Sequence, residues 1–141
     1  MVRRLKKNRR GIATVEMALV LPLLLLLTMG AIRYGWLFLK AQQITNATRM
    51  GARTAVLPDA TVAGVQANIL ALMTAGGMGA SGYSVTFSPA DITSLLVGES
   101  LTVRITVPSA NIDVMHVPLF TDLEPAAWNL GAEVTMAKEG F

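Results

Sequence analysis

The chain is 141 residues long and 52% hydrophobic, with a mean hydropathy of +0.51, a size that holds one domain, or a small domain with an appendage. With no cysteine, one histidine and 6% aromatic residues, it excludes a disulfide scaffold, a thiolate or imidazole-built metal site and a cysteine nucleophile, and it offers little to stack on nucleic-acid bases. The net charge of +3 belongs to the first ten positions, which hold six of the twelve basic residues; from Gly11 onward six basic residues face nine acidic ones, so the basic balance argues for no nucleic-acid partner.

Residues 1–11 form a basic leader carrying Arg3, Arg4, Lys6, Lys7, Arg9 and Arg10. Residues 12–32, IATVEMALVLPLLLLLTMGAI, then hold a single charge, Glu16. A helix of that length spans roughly 30 Å, the hydrocarbon thickness of a bilayer. Arg33 closes the run, with Tyr34 and Trp36 where an interfacial aromatic belt belongs, and the basic leader holds the N-terminus in the cytoplasm. The expectation is a single-pass protein in a lipid bilayer with its bulk outside the cytoplasm. A secretory signal has a similar plan, here with an apolar core from Met17 to Met29 and small residues Thr28, Gly30 and Ala31. Glu16 at the entry of the run and the helical pattern continuing past Ala31 speak against it.

Glu16 is the most informative residue. A carboxylate within a membrane segment costs about 2.5–3.5 kcal/mol on insertion scales, so it is a functional candidate by default, with snorkelling into the headgroups as the plain alternative. Were the chain cut after Gly11, Ile12 would carry a free ammonium, and Glu16 would stand one helical turn away with opposite charge.

From Arg33 to Val56 no proline interrupts a helical period. Leu37, Ala41, Ile44, Thr48, Gly51 and Ala55 share one stripe, and Gln42, Asn46, Arg49 and Arg53 share another, the latter reading as a solvated face. Residues 12–56 are therefore expected to form one rod of roughly 65 Å, kinked at Pro22, whose ring removes a hydrogen bond and clashes with the preceding turn. Pro58 and Asp59 break the rod, and a second helix follows with Asp59 or Thr61 as its N-cap and Val62, Val65, Ile69, Leu72 and Met73 as its apolar face. A glycine-rich loop, Gly76 to Gly82, leads to strands at 83–87, 101–107 and about 132–138, the second with Leu101, Val103, Ile105 and Val107 inward. Pro108, Pro118 and Pro125 punctuate the connection between the last two strands. The fold class is α+β: a long N-terminal helix and, over 57–141, a small head with one further helix and an antiparallel sheet of three or so strands. The head is expected to fold from about Gln42 without metal or nucleotide.

Several motifs are declined. Gly77, Gly79 and Gly82 match G-x-G-x-x-G, but after a helix and before a strand, the reverse of a dinucleotide site. His116 has no second ligand of its kind, and Asp113, Asp122 and Glu124 lack calcium-loop spacing. Asn46-Ala47-Thr48 is a glycosylation sequon by letters alone, on the expected rod. No nucleophile, base and acid come together, so the chain reads as a non-enzyme that needs no cofactor.

The stretch Arg9-Arg10-Gly11-Ile12-Ala13-Thr14-Val15-Glu16-Met17-Ala18-Leu19-Val20-Leu21-Pro22, with the leucine run after it, resembles the TadE-like pseudopilins of the tight-adherence (Tad, or Flp) pilus systems, relatives of type IV prepilins. The basic leader, the glycine before the cut, the glutamate five residues after it and the apolar helix are the shared prepilin pattern. Val15 to Pro22 points to the TadE-like branch, and Met136-Ala137-Lys138-Glu139 looks like that family's ending. The resemblance implies a type IV pilin-like fold and cleavage between Gly11 and Ile12 by a prepilin peptidase, a membrane aspartic protease. It implies a place in the inner membrane or an extracellular adhesive pilus, and partners among other pilins and pseudopilins and the inner-membrane assembly platform. Glu16 would then set the register between subunits. The competing reading is an anchored extracytoplasmic binding module with no pilus role and an intact Met1.

Overall fold

The rod forms as one helix, α1, from Arg9 to Ala55, in a computed structural model that describes residues 9–113 and 128–140, with side chains from 13 onward. At 1.5 Å per residue its 47 residues extend about 70 Å. The helix is unbroken on both sides of Pro22 and begins three residues earlier than the apolar run, within the basic leader. No strand-forming or turn-forming cluster separates Arg9 from Ile12, so the helical backbone propagates backward through Gly11.

Pro58 and Asp59 end α1 as expected, and α2 runs from Val62 to Ala75. Thr61 is its N-cap: its hydroxyl accepts from the Gly64 N–H at 3.2 Å, satisfying a donor that the first turn leaves open. Val65, Ile69 and Met73, one turn apart, are buried, with Val62 and Leu72 half-buried beside them. Gly77 follows in the left-handed region at φ 70°, a conformation that costs glycine nothing, and lets the Met78 N–H turn back to the Met73 carbonyl at 2.7 Å.

Three antiparallel strands follow in the order β1 (Ser84–Ser88), β2 (Ser100–Pro108) and β3 (Asn129–Ala137). β1 and β2 lie within a residue of the alternating stretches. β3 starts at Asn129, three residues before the expected 132, because its first residue pairs with Pro108 at the end of β2. Pro108 therefore closes a strand, and a 3₁₀ turn over Ser109–Asn111 leaves it. Leu101, Val103, Ile105 and Val107 are fully buried, one face of a period-2 strand. They share one core with Leu37, Ile44 and Ala55 of α1, on whose buried stripe Thr48 and Gly51 also lie, and with Ile69 and Met73 of α2. Thr48 is buried there at no polar cost, its hydroxyl donating to the Ile44 carbonyl at 2.8 Å. Gln42, Asn46, Arg49 and Arg53 face outward as read. The head's core is thus shared with the upper half of the rod.

The chain's last described residues fasten the top of the rod. The Glu139 N–H donates to the Val56 carbonyl at 3.0 Å, and the buried Lys138 ammonium donates to the Leu57 carbonyl at 2.9 Å. The Lys138 cation thereby lies just beyond the C-terminus of α1, where the helix dipole favours positive charge.

Candidate functional site

Two adjoining stretches of α1 carry the residues of interest. The lower one is bare. Residues 13–29 contact no other element closely enough to be buried, and Leu19, Leu23 and Leu27 are more than 60% exposed. A helix that is apolar on all sides and uncovered is of a length and composition that suits a single-pass membrane anchor. The Thr28 hydroxyl in this stretch donates to the Leu24 carbonyl at 2.7 Å, so it presents no unsatisfied donor to lipid.

Gly11 and Ile12 lie in the first turns of α1, and Glu16 stands four residues beyond Ile12, on the same face by helical spacing. Glu16 is exposed and makes no ion pair or hydrogen bond with the described residues. Pro22 sits in the helix interior, two turns above.

The upper stretch is a clasp that sequence reading does not find. Arg33, which closes the apolar run in sequence, is buried, and its Nε and Nη2 donate to both carboxylate oxygens of Asp113 at 2.8–3.3 Å. This fork-on-carboxylate geometry is the strong form of the Arg–Asp pair. One turn higher the Trp36 indole N–H donates to the Ile112 carbonyl at 3.0 Å. Lys40, also buried, donates to the Gly76 carbonyl at 2.6 Å, capping the C-terminus of α2, and its ammonium lies 4.6 Å from the centre of the Trp36 ring. Helical spacing puts Arg33, Leu37 and Lys40 on one face, and that face is the one the head covers. The signal available in the sequence was this i, i+4, i+7 pattern with two cations in it.

The declined motifs find their places. The Gly76–Gly82 loop receives Lys40 and is held to the 3₁₀ turn by the Asn111 side-chain amide, which donates to the Ser81 carbonyl at 2.9 Å. Asp113 is engaged by Arg33, while His116, Asp122 and Glu124 lie outside the described residues. Among the described residues no group of three acidic or histidine side chains is placed to hold a metal. A hollow of about 480 Å³ on the outer face of the sheet has Arg104 and Glu133 as its charged groups, 3.5 Å apart across β2 and β3. Exposed Asp91, between β1 and β2, accepts from the Thr93 hydroxyl and N–H at 2.6 and 2.9 Å, which holds its carboxyl below the ordinary range.

Residues 11–53 match the family model of TadE-like protein. That stretch covers the first turns of α1, the bare segment, the clasp residues of the rod and most of the stripe on which the head packs. No curated protein and no solved structure matches the chain.

Proposed function

We propose that this TadE-like chain is a minor pilin or pseudopilin of a Tad-type adhesive pilus, with no catalytic activity and no cofactor of its own. In this reading it is stored in the inner membrane with residues 1–10 in the cytoplasm and the head outside. A prepilin peptidase cuts between Gly11 and Ile12, and the trimmed chain joins other pilins and pseudopilins at the inner-membrane platform that assembles them. A helix apolar on all sides can exchange lipid for neighbouring helices, so one segment serves as anchor first and as assembly surface afterwards.

The observation that carries this reading is Glu16. It is the one charged side chain between Ala13 and Ile32, and it is exposed on the bare rod without a partner among the described residues. In lipid such a carboxylate is costly alone, and the ammonium created at Ile12 of a neighbouring subunit supplies the opposite charge. The pair would fix the axial register of helices whose leucine-rich surfaces specify no depth.

The experiment is N-terminal sequencing of the protein from membranes, with two variants. Wild type is expected to begin at Ile12, and Gly11→Phe to remain as full-length precursor. Glu16→Gln keeps the shape and removes the charge; it is expected to be cut normally and to fail to associate with other pilins. A wild-type chain that retains Met1 refutes the pilin reading and supports an anchored binding module. Uncut Glu16→Gln would assign the carboxylate to peptidase recognition, and normal behaviour in both steps would reduce it to a snorkelling residue.

A further inference from the structure

The clasp changes where the membrane surface of the rod ends. Arg33 follows the apolar run and by sequence marks its limit, yet it is 2% exposed and turned into the head against Asp113, and Lys40 is 6% exposed beneath the end of α2. Neither cation reaches the outer surface of α1 at that level. At 100° per residue, the arc that the head leaves open runs from Tyr34 through Phe38, Gly35, Leu39 and Ile32 to Trp36, about 200° of the circumference. Every residue on that arc is apolar or aromatic, and Ile32, Tyr34 and Phe38 are 54%, 57% and 67% exposed. The first polar groups on the outward meridian are Gln42 and Asn46, followed by Arg49 and Arg53.

We infer that the lipid-covered surface of α1 continues past Arg33 to Leu39, and that the base of the head, with the Arg33–Asp113 pair, rests in the headgroup layer of the adjacent leaflet. The inference rests on the single-pass reading of the lower rod and extends it. Three features favour lipid as the occupant. From Ala13 to Leu39 the helix rises about 40 Å, which exceeds a hydrocarbon core of about 30 Å and matches the 40–45 Å of a bilayer with its interfacial layers. Tyr34 and Trp36 fall in the added length, where amphipathic rings belong, and the Trp36 N–H is already satisfied by the Ile112 carbonyl. An arc of about 200° is also wider than the roughly 100° stripe that one neighbouring helix covers, whereas lipid surrounds whatever the head leaves bare. Asp113 has a definite role in this arrangement: its carboxylate sets a negative charge against the buried Arg33 guanidinium at the level of the interface.

The chain has no cysteine, so single-cysteine variants of the full-length protein report cleanly on depth. Leu24→Cys, Phe38→Cys and Asn46→Cys would be spin-labelled and reconstituted into phosphatidylcholine–phosphatidylglycerol vesicles, and collisions with oxygen compared with collisions with a water-soluble nickel chelate. All three positions are exposed, so none of the substitutions opens the core. The oxygen-to-nickel ratio is expected to be high at 24, raised well above the aqueous level at 38, and low at 46. A ratio at 38 equal to that at 46, with 24 still lipid-like, overturns the extension and leaves the anchor standing. Water-like behaviour at 24 as well overturns the anchor and the extension together. Protection of 38 from both reagents, with line broadening that disappears on dilution by unlabelled chain, places a second copy there and overturns lipid as the occupant.

Discussion

Arg33 and Asp113 are 80 positions apart in the chain and 2.8 Å apart in space, and the effect of their pairing is asymmetric. Taking both charges out of water costs a great deal, which the bidentate geometry offsets only in part. Removing the carboxylate takes its charge from a guanidinium that stays buried, at a cost of up to about 3–5 kcal/mol. Asp113→Asn is therefore expected to lower the thermal midpoint of the head by more than about 10 °C. A midpoint for Asp113→Asn within a degree or two of wild type would show that the pair is solvated. The role proposed for Glu16 draws on a local cue, one carboxylate in an apolar run with Gly11 and Ile12 a turn away. The role of Arg33 was not legible in the sequence. A cation that follows an apolar run looks the same in sequence whether it meets water or a carboxylate from a distant loop, and no local period records which.

At the level of elements, α1 and α2 cross where Gly51 removes a side chain. A Cβ at that position would stand 2.7–2.8 Å from Cδ1 and Cγ1 of Ile69, which is fully buried against the sheet. Gly51→Val therefore drives two methyl groups into a filled core, with an expected cost of about 1–3 kcal/mol and reduced apolar packing between the two helices. Chemical denaturation of the variant checks this, and an unchanged midpoint would mean that α2 shifts freely. The stripe bearing Gly51 was legible because a helix repeats its inward positions every three or four residues: five of the six expected positions are buried, and Ala41 is half-buried. The inward faces of β2 were legible by the same logic at period two. Strand ends were not, since the start of β3 is decided by its ladder to Pro108 rather than by its own residues. The C-terminal fastening likewise escaped notice, because a lysine read as part of a family ending gave no sign that it would be buried under the Leu57 carbonyl.

On the scale of the whole molecule, α1 belongs to two environments at once, bare below the clasp and half-covered above it. The sequence places a boundary near Val56 and suggests a head that folds from about Gln42. The core, however, draws on Leu37, and the clasp on Arg33, Trp36 and Lys40, all of which lie below Gln42. A fragment beginning at Gln42 would leave the Gly76 and Ile112 carbonyls and the Asp113 carboxylate without these donors. Each lost hydrogen bond costs about 0.5–1.5 kcal/mol, and the lost burial of Leu37 a further 1.5–3 kcal/mol. A fragment beginning at Ala31 keeps all of these contacts while omitting most of the apolar run. Both fragments are expected to unfold without response to chelator, and the longer one to melt higher by more than about 10 °C. Equal melting temperatures would mean that the rod below Gln42 is only a tether. A marked fall of both with chelator would instead bring back Asp113, Asp122 and Glu124 as ligands, because an ion that binds only the folded state raises its stability by mass action and its removal takes that increment away.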